Sequence, residues 1–148
     1  MIKWKEVAAA NLRVAANAIS KGGKLPLHAM FANDERSMNG NFCVYVLFSG
    51  EEKGTFSMIK ASIADGQPLE FPSLTPLLPA AAWYEREIHD LFGLTPVGHP
   101  DLRPLVLHEH WPQGCYPMRK DFTKIPKAKA KMQESVRPRV HGEGVFEV

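Results

Sequence analysis

FCVYVLFSGEEKGTFSMIKASIA, residues 42–64, is the stretch that decides the fold. Phe42 to Ser49 and Thr55 to Ala64 are rich in β-branched and aromatic residues, and the polar link Gly50 to Gly54 lies between them, which predicts two strands joined by a turn. So short a link cannot hold the crossover that parallel neighbours need, so the pair is expected to be antiparallel. Phe42 to Phe48 is apolar on both alternating faces, as suits a central strand.

Outward from this pair, Leu25 to Ala32 reads as a third strand, followed by the polar link Asn33 to Asn41. From Trp4 to Ser20, the apolar residues Trp4, Val7, Ala8, Leu12, Val14, Ala15 and Ile19 fall at helical spacing before Gly22-Gly23, predicting one amphipathic helix rich in alanine. On the other side, Gln67 to Pro79 carries Pro68, Pro72, Pro76 and Pro79 and is expected to be an extended connector or sheet edge. Ala80 to Phe92 reads as a second helix, with Pro79 before it and Gly93 placed as its C-terminal cap. Residues 1–92 are therefore expected to form an α+β domain, a small and mainly antiparallel sheet with helices on one face. Beyond it the prolines continue from Pro96 to Pro138 with little periodicity, and Leu102, Leu105, Val106, Leu107, Trp111, Tyr116 and Phe122 argue that the stretch grips something. This predicts an extended, proline-rich arm over 93–122 and a basic linker over 123–148.

Composition excludes more than it selects. A 148-residue chain, 45% hydrophobic and 23% charged, suits one ordinary globular domain. Its longest apolar run, Pro72 to Glu85, is broken by prolines and is too short to span a bilayer. The N-terminus lacks the apolar core of a secretory signal. Cys43 and Cys115 have no paired spacing that would frame a disulfide or an iron–sulfur cluster, so a reducing cytoplasm is expected. Charge is uneven: residues 119–139 hold a net +6, leaving −4 for the rest, and the basic tail implies an electrostatic contact.

On the helix over 80–92, Ala81, Tyr84, Ile88, Leu91 and Phe92 form the apolar stripe, with Glu85 and Glu87 expected on its two margins. Arg86 and Asp90, four apart, are expected to pair on the outward face. Arg103, Arg119 and Lys120 are the cations available to the carboxylates. Glu85 and Glu87, two apart, do not face a common site, which disfavours paired-carboxylate catalysis. His108, His110 and Cys115 would be the best members of a zinc or haem ligand set with His89 and His99, but their spacing is irregular. No phosphate-cradling glycine loop and no nucleophile elbow is present. The rival class, an anionic-surface or nucleic-acid-binding module, would use Lys124 to Arg139, a tail with no aromatic residue on which bases could stack.

Glu85-Arg86-Glu87-Ile88-His89-Asp90-Leu91-Phe92-Gly93, continued by His99-Pro100-Asp101-Leu102-Arg103-Pro104-Leu105-Val106, resembles the pattern of the 30-kDa subunit family of respiratory complex I. Its fixed positions are met by Glu85, Arg86, Glu87, Asp90, Leu91, Phe92, His99 and Arg103. Pro117-Met118-Arg119-Lys120-Asp121-Phe122 resembles the family's second box, with Met118 in place of leucine. The resemblance implies a cofactor-free structural subunit, with NADH, quinone, iron–sulfur clusters or a nickel–iron centre confined to partner subunits. It also implies docking on a large hydrogenase-like, 49-kDa-type subunit beside a small iron–sulfur subunit, an indirect tie to a membrane arm, and a place at the inner face of the cell membrane. Val140 to Val148 resembles the lead-in to the large subunit in formate hydrogenlyase-type hydrogenases, where the two domains are fused, so a C-terminal large-subunit domain of the same polypeptide is an expected partner.

Overall fold

The computed structural model describes residues 1–125. Its main sheet contains β1 (Ile2–Ala8), β2 (Leu27–Glu35), β3 (Asn41–Ser49) and β4 (Phe56–Ala64) in the order β1-β4-β3-β2. The 42–64 hairpin forms as expected: β3 and β4 are antiparallel, with Val44 opposite Ala61 and Val46 opposite Ile59. On its other edge β3 pairs antiparallel with β2, placing Met30 opposite Val46. Phe42, Val44, Val46 and Phe48 thus share one face of the central strand, and all four are fully buried.

The N-terminal expectation needs correction. The stretch from Trp4 to Ser20 is not one helix: Ile2–Ala8 forms β1, parallel to β4 from Ile2 opposite Phe56 to Ala8 opposite Ser62. After a single 3₁₀ turn, Ala9–Asn11, α1 (Leu12–Ile19) follows. The sequence Ile-Lys-Trp-Lys-Glu-Val alternates as well as it repeats at helical spacing, and a seven-residue ladder to a central strand decides between the two. The sheet is therefore mixed, with two antiparallel pairs and one parallel pair.

The helices lie on one face of the sheet, as expected for the α+β class. Leu12, Ala15 and Ala16 of α1 are buried, and the alanines let that helix lie close to the strands. A four-residue helix, α2 (Arg36–Asn39), turns the chain from β2 into β3. The second long helix, α3 (Ala82–Phe92), follows a 3₁₀ turn at Pro79–Ala81 and ends at Gly93, whose φ of 69° is left-handed. Ala81, Ile88 and Phe92 enter the shared core beside Phe71, Leu74 and Leu94. Each fully buried large side chain contributes about 1.5–3 kcal/mol. The proline-rich connector is extended only in its first half, where β5 (Glu70–Pro72) pairs parallel with β6 (Thr95–Val97); after Ser73 it turns, with the Leu77 and Leu78 amides donating to the Leu74 carbonyl. From Gly98 to Ile125 there is no further helix or strand, so the arm is irregular as expected. Most of the 123–148 linker and the whole Val140 to Val148 lead-in lie outside the described residues.

Candidate functional site

The helix α3 and the arm meet along a seam built by the residues singled out in the sequence, but not by the pairings expected there. Glu85 is not on the margin of the apolar stripe; its side chain is completely buried. It accepts hydrogen bonds from the hydroxyls of Ser73 and Thr75, at 2.6 and 2.7 Å, and from the Leu74 amide. These donors come from the connector after β5, so Glu85 ties that loop to α3 and offsets its own desolvation. His99 lies beside it, with Nε2 3.1 Å from the Ala82 carbonyl and Nδ1 accepting the Asp101 amide at 3.0 Å. A ring nitrogen that accepts an amide carries no proton, so these contacts assign the Nε2–H tautomer donating to Ala82.

Arg86 and Asp90 do share one helix face, yet they bind the arm rather than each other. Arg86 donates from Nε to the Arg103 carbonyl at 2.8 Å and from Nη2 to the Pro104 carbonyl at 3.0 Å. One oxygen of Asp90 accepts the amides of Leu105 and Val106 at 2.8 Å and that of Leu107 at 3.3 Å. Residues four apart stand one above the other on a helix, so the cation takes two successive carbonyls and the anion the next three amides. The clamp reads only main chain. Leu105 and Val106 are left 39% and 51% exposed.

The second box fastens the end of the arm to the domain. Arg119 donates to the Phe92 carbonyl at 2.7 Å, and the Met118 amide donates to that of Leu91, so two carbonyls left open at the end of α3 are satisfied. The Arg119 guanidinium also lies 4.2 Å from the Tyr116 ring centre and 5.1 Å from that of Phe42, and burial lowers its pKa. Tyr116 packs on Gly93 so closely that an added Cβ would lie 2.3 Å from its ring. The Lys120 amide donates to Asp34 at 2.9 Å, and its ammonium reaches the Ser37 hydroxyl at 3.2 Å. Asp121 pairs with Arg36 at 3.0 Å.

Asp34, Arg36, Ser73 and Thr75 were not singled out in the sequence, and Tyr116 was read only as one of the apolar residues of the arm. Only the short polar Asp34-Glu35-Arg36 run, where β2 ends and α2 begins, signalled any of them. The Arg36 guanidinium holds the Asp34 carboxyl far below the usual carboxylate range, against the cost of burial, and the Lys120 amide adds to this. Burial pushes the neighbouring Glu35 upward, but hydrogen bonds from Tyr45, Lys60 and Asn39 outweigh it and bring its pKa down to about 2.

Other expected partners stay apart. Arg103 pairs with Asp101 at 2.7 Å, and neither it, Arg119 nor Lys120 meets Glu85 or Glu87. Glu87 is exposed and makes no hydrogen bond or ion pair among the described residues. Leu91 and Phe92 pack in the core as the stripe required. His108 and His110 have ring centres 6.3 Å apart, and Cys115 offers its carbonyl to the Trp111 indole at 2.7 Å. Among the described residues no three His, Cys, Asp or Glu gather where they could hold a metal ion. No described helix is long and apolar enough to cross a membrane.

The sequence pattern described as respiratory-chain NADH dehydrogenase, 30 Kd subunit, matches residues 6–128. The chain belongs to this family. Its curated relatives include hydrogenase-4 component G of Escherichia coli K12, 48% identical over 67% of this chain, and formate hydrogenlyase subunit 5 of the same strain, 50% identical over 64%. The NADH-quinone oxidoreductase C/D protein of Edwardsiella ictaluri is 42% identical over 55%. The chain spans only 18%, 17% and 13% of these three proteins. Among solved structures it resembles a chain of the membrane-bound sulfane sulfur reductase, an archaeal respiratory membrane complex, with a TM-score of 0.68, 26% identity, and coverage of 82% of this chain and 72% of that one. A trypsin-resistant fragment of Nqo5 shares the fold, with a TM-score of 0.58 at 21% identity over 67% of this chain and 81% of the fragment. Both the resemblance to the 30-kDa family and its hydrogenase-type slant are borne out. The chain is a complex I-like or hydrogenase-type member of that family.

Proposed function

We infer that this 30-kDa-family domain is a cofactor-free docking element that holds a large hydrogenase-like subunit, or such a domain of the same polypeptide, through residues 93–122. The observation that carries this reading is the clamp: Arg86 and Asp90 fix the arm by its main chain and leave the Leu105 and Val106 side chains facing outward. An exposed apolar segment held in one conformation is preorganised to bind, because its ordering cost is met before the partner arrives. In this reading NADH, quinone, iron–sulfur clusters or a nickel–iron centre belong to partner subunits. The peripheral assembly at the inner face of the cell membrane also includes the small iron–sulfur subunit, and the contact with the membrane arm is indirect.

Co-purification with the affinity-tagged large subunit tests this. The wild-type chain should be captured stoichiometrically, and Val106→Asp should weaken capture at least tenfold with unchanged circular dichroism, because a charge would be buried unpaired at an apolar contact. Failure of the wild type to bind refutes the reading. Salt-sensitive retention on heparin with no capture would favour instead an anionic-surface or nucleic-acid module working through the basic tail.

A further inference from the structure

Three members of the helix motif, Glu85, Arg86 and Asp90, are spent on contacts within the chain, whereas Glu87 makes no hydrogen bond or ion pair among the described residues. It stands four residues after Trp83, so both project from one face of α3. Trp83 is 71% exposed. The two line a groove of about 460 Å³ with Pro79, Ala82, Tyr84 and Leu105. Its walls are fixed: the Tyr84 hydroxyl reaches the His28 carbonyl at 3.3 Å, and the Leu105 amide is held by Asp90.

We propose that Trp83 and Glu87 form a receptor for an arginine side chain of the partner polypeptide, with an adjacent apolar side chain of that partner seated in the groove beside them. The inference rests on the docking reading and specifies the partner's chemistry. A carboxylate with no cation partner among the described residues, beside an exposed indole face, suits a planar guanidinium, which can pair with the carboxylate through two N–H groups and stack on the ring. The compact, strongly hydrated ammonium of lysine matches it less well. The described arginines of this chain are all engaged: Arg13 and Arg86 with carbonyls, Arg36 with Asp34 and Asp121, Arg103 with Asp101, Arg119 with Phe92. The described part of a second copy therefore has no free arginine to offer, and the docking reading on which the inference rests supplies the large subunit as the occupant.

The test measures affinity between the full chain and the purified large subunit for wild type, Glu87→Gln, Trp83→Ala and the double variant. Each single change should weaken binding roughly tenfold, and the double variant little more than either, because both serve one arginine. Melting temperatures should be unchanged, since both side chains face solvent. Arginine amide should compete better than lysine amide at equal ionic strength. If the wild type binds and the variants bind as tightly, this inference falls while the docking reading stands. If the wild type does not bind, both fall. Equal competition by the two amides removes the guanidinium assignment. A dimer of the isolated chain that is lost in Glu87→Gln would give the patch to a second copy and overturn the proposal.

Discussion

Replacing Asp90 by alanine should detach the arm without unfolding the domain. One Asp90 oxygen accepts three amides, two of them at 2.8 Å, and the residue is only 8% exposed. A hydrogen bond to a charged group is worth about 1.5–3 kcal/mol. Three bonds sharing one oxygen do not add fully, and water can reach the freed amides of the half-exposed arm, so about 2–3 kcal/mol is expected. The loss is local because Glu85, the α3 stripe and the sheet do not depend on Asp90. Amide hydrogen exchange reads it directly: Leu105, Val106 and Leu107 should exchange roughly 30- to 150-fold faster, at about tenfold per 1.4 kcal/mol. Amides of β3 from Asn41 to Ser49 should keep their protection. Unchanged exchange at Leu105 to Leu107 would refute the clamp, and an equal loss across β3 would show that the arm and the domain open as one unit.

Gly93→Ala should cost at least about 2 kcal/mol in denaturant unfolding, because the left-handed backbone disfavours a Cβ by about 1–2 kcal/mol and the new methyl would strike Tyr116. Glu85→Ala should destabilise the domain by about 3 kcal/mol or more in the same assay, since Ser73, Leu74 and Thr75 lose their buried acceptor. The chain should also be acid-sensitive: the depressed Asp34 and Glu35 carboxyls stabilise the fold above their ordinary pKa values and lose this as the pH falls through their folded ones. For Glu35 the loss runs from its ordinary 4.5 down to about 2. Glu35→Gln should flatten the stability curve over that interval, and a curve of unaltered slope would contradict the assignment.

The 42–64 hairpin, the helix ending at Gly93 and the irregular arm were legible because each rests on a local signal: a short polar link, an apolar stripe bounded by proline and glycine, a run of prolines. β1 was not, since Ile2 to Ala8 satisfies both periods and its fate depends on β4, some fifty residues away. The site shows the same division. Spacing alone marked Glu85, Arg86, Asp90 and the Arg119–Asp121 box, which the structure places in contacts that tie α3, the arm and the sheet together; what each one touches was not legible.

The reason is that sequence reasoning matches side chain to side chain, carboxylate to guanidinium, whereas this seam is mostly side chain to main chain. Arg86, Asp90, Arg119 and the Lys120 amide all make contacts in which one partner is a peptide group, and a peptide group has no signature in the sequence. A contact to the main chain also puts little constraint on the side chain of the residue it holds. The clamp can therefore stay fixed while the side chains of Leu105, Val106 and Met118 vary, which makes the spacing of the motif a record of how the arm is held; on the docking reading proposed above, the exposed residues then determine what it binds.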